Sequence, residues 1–213
     1  MPGMPDSDGD LRKLVDAIVS SDSTETIRLL EASPQLAVAS FESGATRQTA
    51  KPCFLDQIGR YIYAGDTALH IAAAAYQPET VRKLIAAGAN AHAKNRRGDE
   101  PLHSAAVGHP GSPRWNPAAQ TVTIAVLIDS GADPNAVTKD GVTPLHRAVR
   151  TRCAAAVRIL LERGADPKRK NKSGSTPMVL AAHNTGRGGT GLAEAKSEQQ
   201  EIVRLLTTRK SPI

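Results

Sequence analysis

Aromatic residues are scarce: Phe, Trp and Tyr make up 3% of the 213 residues. A core with so few rings must be filled by Ala, Leu, Val and Ile. Long apolar runs are missing too. The longer ones, such as "IAAAAY" at 71–76 and "IAVLI" at 124–128, fall far short of the about 18 residues of a membrane span. The N-terminus "MPGMPDSDGDL" has no basic stretch leading into an apolar one, so no secretory signal is expected. Only two cysteines occur, Cys53 and Cys153. In a chain with no export signal they are expected to be free thiols, and the location to be cytoplasmic. What the chain has in excess is positive charge, a formal net +6, which favours acidic partners.

What is present is repetition. "GDTALHIAA" (65–73), "GDEPLHSAA" (98–106), "GVTPLHRAV" (141–149) and a worn "GSTPMVLAA" (174–182) spell nearly one phrase. The leading glycines are 33, 43 and 33 residues apart. The phrase has the physics of a helix start. Thr143 can cap by accepting from an orphan N–H, and Pro144 at the first helical position loses no bond. Leu145, Ala148 and Val149 then share one face. A second phrase follows each: "VRKLIAAGANAHA" (81–93), "IAVLIDSGADPNA" (124–136) and "VRILLERGADPKR" (157–169). In the last of these Val157, Leu160 and Leu161 are expected to be buried, and Gly164 to end the helix in the left-handed conformation.

A period near 33 with a T-P-L-H-x-A core resembles the ankyrin-repeat family, from about residue 61 to 208. The resemblance implies an all-α solenoid of stacked helix-turn-helix units with short β-hairpin fingers. One unit cannot cover its own apolar faces, so units share a continuous core. The expected divisions are a disordered lead-in (1–10) and a degenerate capping pair with an extended finger insertion (11–60). Repeats follow at 61–93, 94–136 and 137–169, the second with an inter-helix insertion. A capping repeat with another insertion (170–208) and a tail (209–213) complete the chain. The inserted stretches are 37–60, 108–117 and 184–196.

His70, His103 and His146 invite a metal or catalytic role. Equivalent side chains in stacked helices lie about 8–10 Å apart, whereas zinc holds its ligands at about 2 Å. They cannot share an ion, and no metal is expected. The resemblance implies a structural histidine bonding backbone groups of neighbouring turns. Neither cysteine has a base and an orienting group in a recognisable pattern. "GRGGTG" (186–191) follows a helix and lacks the Lys of a phosphate cradle, so it reads as a loop.

The resemblance also implies where partners bind: finger tips and the inner helix face. Carried onto this chain, those positions are Tyr63, Ala64, Asp66, Ala74 and Ala75; Arg96, Arg97, Asp99, Val107 and Gly108; Lys139, Asp140, Val142, Arg150 and Thr151; and Lys172, Ser173, Ser175, His183 and Asn184. Arg96, Arg97, Lys139, Arg150 and Lys172 would form a basic row, flanked by Lys94, Lys168, Arg169 and Lys170. Trp115, the only tryptophan, either tethers its own loop or contacts a partner.

The expected function is a monomeric protein–protein interaction module, an adaptor or regulator rather than an enzyme. It uses Tyr63, Trp115 and the basic row, with no cofactor. Nucleic acid is disfavoured because the row lacks interleaved aromatics apart from Tyr63. The alternative is an enzyme or small-ligand binder with a pocket built from the three insertions, around Phe54, Tyr61 and Tyr63. A regulator that blocks a cognate enzyme is a third possibility.

Overall fold

The computed structural model describes residues 7–48, 50–110, 112, 115–182 and 193–208. Their helices fall into five pairs: α1 (Ser7–Val19) with α2 (Ser23–Ala32), α3 (Ala68–Ala74) with α4 (Pro78–Ala86), α5 (Pro101–Ala105) with α6 (Pro117–Asp129), α7 (Pro144–Arg150) with α8 (Ala154–Glu162), and α9 (Pro177–Ala182) with α10 (Ala193–Thr208). The first helices stack in the order α1, α3, α5, α7, α9, and the second helices from α4 through α6 and α8 to α10. None of these helices is long and apolar enough to cross a membrane.

Each inner helix starts for the reason its sequence suggests. Thr143 is extended (φ −92°, ψ 166°), and its hydroxyl accepts from the His146 N–H. The His146 ring in turn accepts from the Thr143 N–H, closing a reciprocal cap. Glu100 replaces the threonine in α5, and the His103 ring again accepts from the N–H of the capping residue. Leu69, Leu102 and Leu145 are fully buried, each worth about 1.5–3 kcal/mol relative to exposure. Small residues let the layers approach: Ala72, Ala105 and Ala148 are buried completely. On α8, Val157, Leu160 and Leu161 face the core. Gly164 ends that helix at φ +90°, a conformation costly for any residue with a Cβ.

Three boundaries differ from expectation. Residues 7–10 belong to α1 rather than to a disordered lead-in. Asp8 and Asp10 in its first turn suit the positive end of the helix dipole. The insertion expected to run to residue 196 stops earlier, because α10 begins at Ala193. Ala195 is already fully buried, with Ile202 and Leu206 on the same face. Likewise Pro117 opens α6 rather than closing a loop. Residues 1–6, 183–192 and 209–213, including the "GRGGTG" stretch, His183 and Asn184, lie outside the described residues.

The insertion at 37–60 has structure of its own. After a 3-10 turn at Pro34–Ala37 it folds back along the first finger. The Phe41 N–H donates to the Asp66 carbonyl, the Gly65 N–H to that of Phe41, and the Ala45 N–H to that of Ile62. Gly44 permits this approach, since a Cβ there would stand 2.5 Å from the Ala64 nitrogen. A hairpin of β1 (Phe54–Leu55) and β2 (Arg60–Tyr61) forms the tip. Phe54 and Tyr61 face each other across it, with ring centroids 4.7 Å apart.

Candidate binding groove

Two ladders hold the fingers in register. In the first, His70, His103 and His146 each accept at Nδ1 from the N–H of their own capping residue. That fixes the tautomer, so Nε2–H donates onward to the next finger. The acceptors are the carbonyls of Asp99, Val142 and Ser175, each at 3.0 Å. Burial keeps all three rings neutral. It lowers the pKa of His70 and His146 below the ordinary histidine value and pushes His103 down to about 4. The second ladder is backbone alone. The N–H groups of Arg96, Lys139 and Lys172 donate to the carbonyls of Ala64, Arg97 and Asp140 on the preceding fingers. In the last unit Val179 stands where the histidine would be, and among the described residues no further finger follows to accept from one.

The inner helices and fingers enclose a groove of about 760 Å³. It runs from the hairpin tip at Gln57–Tyr63 past α3, α5 and α7 to Leu180 in α9. Four arginines line it, Arg60, Arg97, Arg147 and Arg150, against Asp99 and Asp140. Arg60 reaches both carboxylate oxygens of Asp66, at 3.1 and 3.2 Å. Asp66 also accepts from the Tyr63 N–H and from Asn95. Burial acts to raise the Asp66 pKa, but these partners outweigh it and hold the carboxyl below its ordinary value. Arg147 donates to Asp99, and Arg97 lies 3.6 Å from the same carboxylate. Arg150 is exposed, and among the described residues no carboxylate pairs with it.

Residues 64–96 match the family of the ankyrin repeat, and residues 127–181 match that of ankyrin repeats in many copies. The chain carries ankyrin repeats over these residues. No curated protein matches it. Ankyrin repeats are in general protein–protein interaction modules.

Of the candidate partner-binding residues, the structure brings Tyr63, Arg97, Arg150 and Trp115 to the wall of the ankyrin groove. Arg96, Lys139 and Lys172 stay on the exposed finger edge outside it. The basic row is also not uniform. Arg96 and Arg97 both lie over the Tyr63 ring, 5.3 and 5.1 Å from its centroid. Arg97 donates to the Tyr63 hydroxyl at 3.2 Å, and Arg96 to the Ala45 carbonyl in the insertion.

Trp115 is tethered as well as groove-facing. Its Nε1–H donates to Gln120 at 2.9 Å, and Gln120 donates to the carbonyls of Ala105 and Val107. A Cβ on Gly108 would meet Trp115 Nε1 at 2.7 Å and Cys153 Sγ at 2.3 Å. Both cysteines are free thiols. Burial pushes the Cys153 thiol up to about 12, so it remains protonated and unreactive. Among the described residues no cluster of His, Cys, Asp or Glu is arranged to hold a metal.

Several groove residues escaped the sequence argument: Arg60, Tyr76, Ser104 and Arg147. Ser104 and Arg147 share one position, immediately after the repeat histidine. That shared position, polar here and apolar at Ile71 and Leu180, was the available signal. Arg60 gave none, because its place depends on how the insertion folds.

Proposed function

We propose that this chain is a regulator or adaptor whose groove takes an extended acidic segment of another protein. The observation that carries the proposal is the continuous groove with its four arginines. Three repeat spacings of about 8–10 Å give it a length of about 25–30 Å. At about 3.3 Å per residue, that suits about eight residues of extended chain. A site open along all four repeats suits a peptide better than a compact substrate. The chemistry points the same way. The repeat histidines spend both ring nitrogens on backbone groups, which leaves them none for proton transfer.

Unpaired charge at Arg150, Lys139 and Lys172 should steer an acidic partner and speed its arrival at low salt. The test is to capture the partner with the full chain, then measure association rates at several ionic strengths. Arg150→Glu should slow association, most strongly at low salt. Equal, salt-independent rates in both proteins would overturn the acidic-partner reading. Occupation of a closed pocket around Tyr61 and Tyr63 by a small molecule, without a protein, would favour the enzyme or ligand-binding alternative.

A further inference from the structure

The groove floor has more hydrogen-bonding capacity than the protein uses. Nε of Arg60, Nε of Arg147 and the hydroxyl of Ser104 are buried atoms with no hydrogen-bond partner among the described residues. Ser104 is 4% exposed, and the Arg60 and Arg147 side chains 17% and 21%. All three residues line the groove. Buried polar groups are almost always satisfied, so three orphans on one floor call for an explanation. Ser104 and Arg147 occupy equivalent positions on the neighbouring helices α5 and α7, which puts them side by side.

The charge balance points in the same direction. Arg60 is neutralised by Asp66, and Arg97 and Arg147 share the single carboxylate of Asp99. Arg150 has no acidic partner among the described residues. With Asp140, which also borders the groove, four arginines meet three carboxylates, Asp66, Asp99 and Asp140, which leaves one positive charge in excess. Burial first, and then the like charges of Arg97 and Arg60, lower the guanidinium pKa of Arg147 against the pull of Asp99. Crowded cations of this kind are stabilised by an anion placed among them.

We propose that Arg60, Arg97, Arg147, Arg150 and Ser104 form an oxyanion subsite for one phosphomonoester group carried on the bound segment. This rests on the groove being the partner site. A carboxylate brings two oxygens and would leave one of the three unpartnered donors unmet. A phosphomonoester carries about −1.5 to −2 at neutral pH and three strong acceptor oxygens, one for each of these donors. Its Arg contacts are charge-assisted.

The test uses the full chain, with the arginine Nε–H resonances followed by NMR at constant ionic strength. The probes are a nine-residue Gly/Ser peptide with one central phosphoserine, the same peptide unphosphorylated or with Glu at that place, and inorganic phosphate. The phosphopeptide should move the Arg60 and Arg147 Nε–H signals saturably, and the Glu peptide should bind about tenfold more weakly, the loss of one charge-assisted bond. Arg150→Gln, at an exposed and unpaired residue, and Ser104→Ala should both weaken it, whereas Lys83→Gln on the outer face should not. Three results would overturn the subsite: no saturable shift, equal binding of the Glu peptide, or equal weakening by Lys83→Gln. Inorganic phosphate binding as tightly as the phosphopeptide would overturn the peptide as its source. If the subsite fails while Arg150→Glu still slows the captured partner, the groove remains the partner site. If the partner is indifferent to the groove, that reading fails separately.

Discussion

The finger edge has two halves that look alike in sequence and differ in structure. In the first half, Arg96 and Arg97 lie over Tyr63, and Arg96 is bonded to the Ala45 carbonyl of the insertion. In the second half, Lys139 and Lys172 are exposed, and their side chains have no ion-pair partner among the described residues. The backbone rungs beneath them are the same. What differs is the neighbour: the first finger has a folded insertion against it and the later ones do not. One half of the basic row thus fastens the insertion to the stack, and the other half keeps its charge for solvent or a partner.

The histidine ladder is common to both halves, so acid should weaken them together. Each ring has a folded pKa below its unfolded value of about 6.5, so the unfolded chain binds protons first as pH falls. The ladder's stability is therefore complete above about pH 6.5 and lost as pH falls toward the folded value, about 4 for His103. For His103 alone the loss is on the order of 3 kcal/mol. Denaturant titrations at pH 7, 5.5 and 4 should show one cooperative transition moving to lower denaturant. Two separate transitions at pH 4 would mean that the halves do not share this support.

The next effect belongs to the first half only. Gly44→Ala would drive a Cβ to 2.5 Å from backbone atoms of Tyr63 and Ala64. The expected cost is about 1–3 kcal/mol, as for other overpacked sites. Amide exchange should rise at Ala45 and Ile62, whose N–H groups tie the insertion down, and stay unchanged at Lys172. Wild-type protection at all three would mean that the insertion adapts without loosening.

The stack was legible because its cause is periodic. Each "TPLH" phrase carries its own cap, its buried leucine and its rung, so reading one unit reads the others. The structural role of the histidines came from the resemblance to the ankyrin-repeat family. The insertion was not legible beyond its limits, since no period says that residues 40–45 pair with the first finger. The consequence for the site was direct. Tyr63 and Arg97 were found as positions in a repeat, but their mutual contact was not. Arg60 and Arg147 were missed because one depends on the insertion and the other sits on the helix face rather than the tip.

The smallest effects on stability, and the sharpest comparison, come from reversing charge in each half separately. Arg96→Glu removes a cation over Tyr63 and a donor to Ala45. An exposed cation–π contact is worth about 0.5–1 kcal/mol, so a loss of about 1 kcal/mol is expected. The pair Lys139→Glu and Lys172→Glu removes exposed charges with no such contacts and should change stability by less than about 0.5 kcal/mol. Binding should rank the other way. A charge held over a ring and against a carbonyl is partly spent within the protein. One held in solvent contributes fully to the long-range field that steers an acidic partner. Denaturation curves and association rates at low salt, measured on both variants, give the two rankings. If Arg96→Glu proves neutral for stability and the lysine pair neutral for association, the division of the finger edge has no functional meaning.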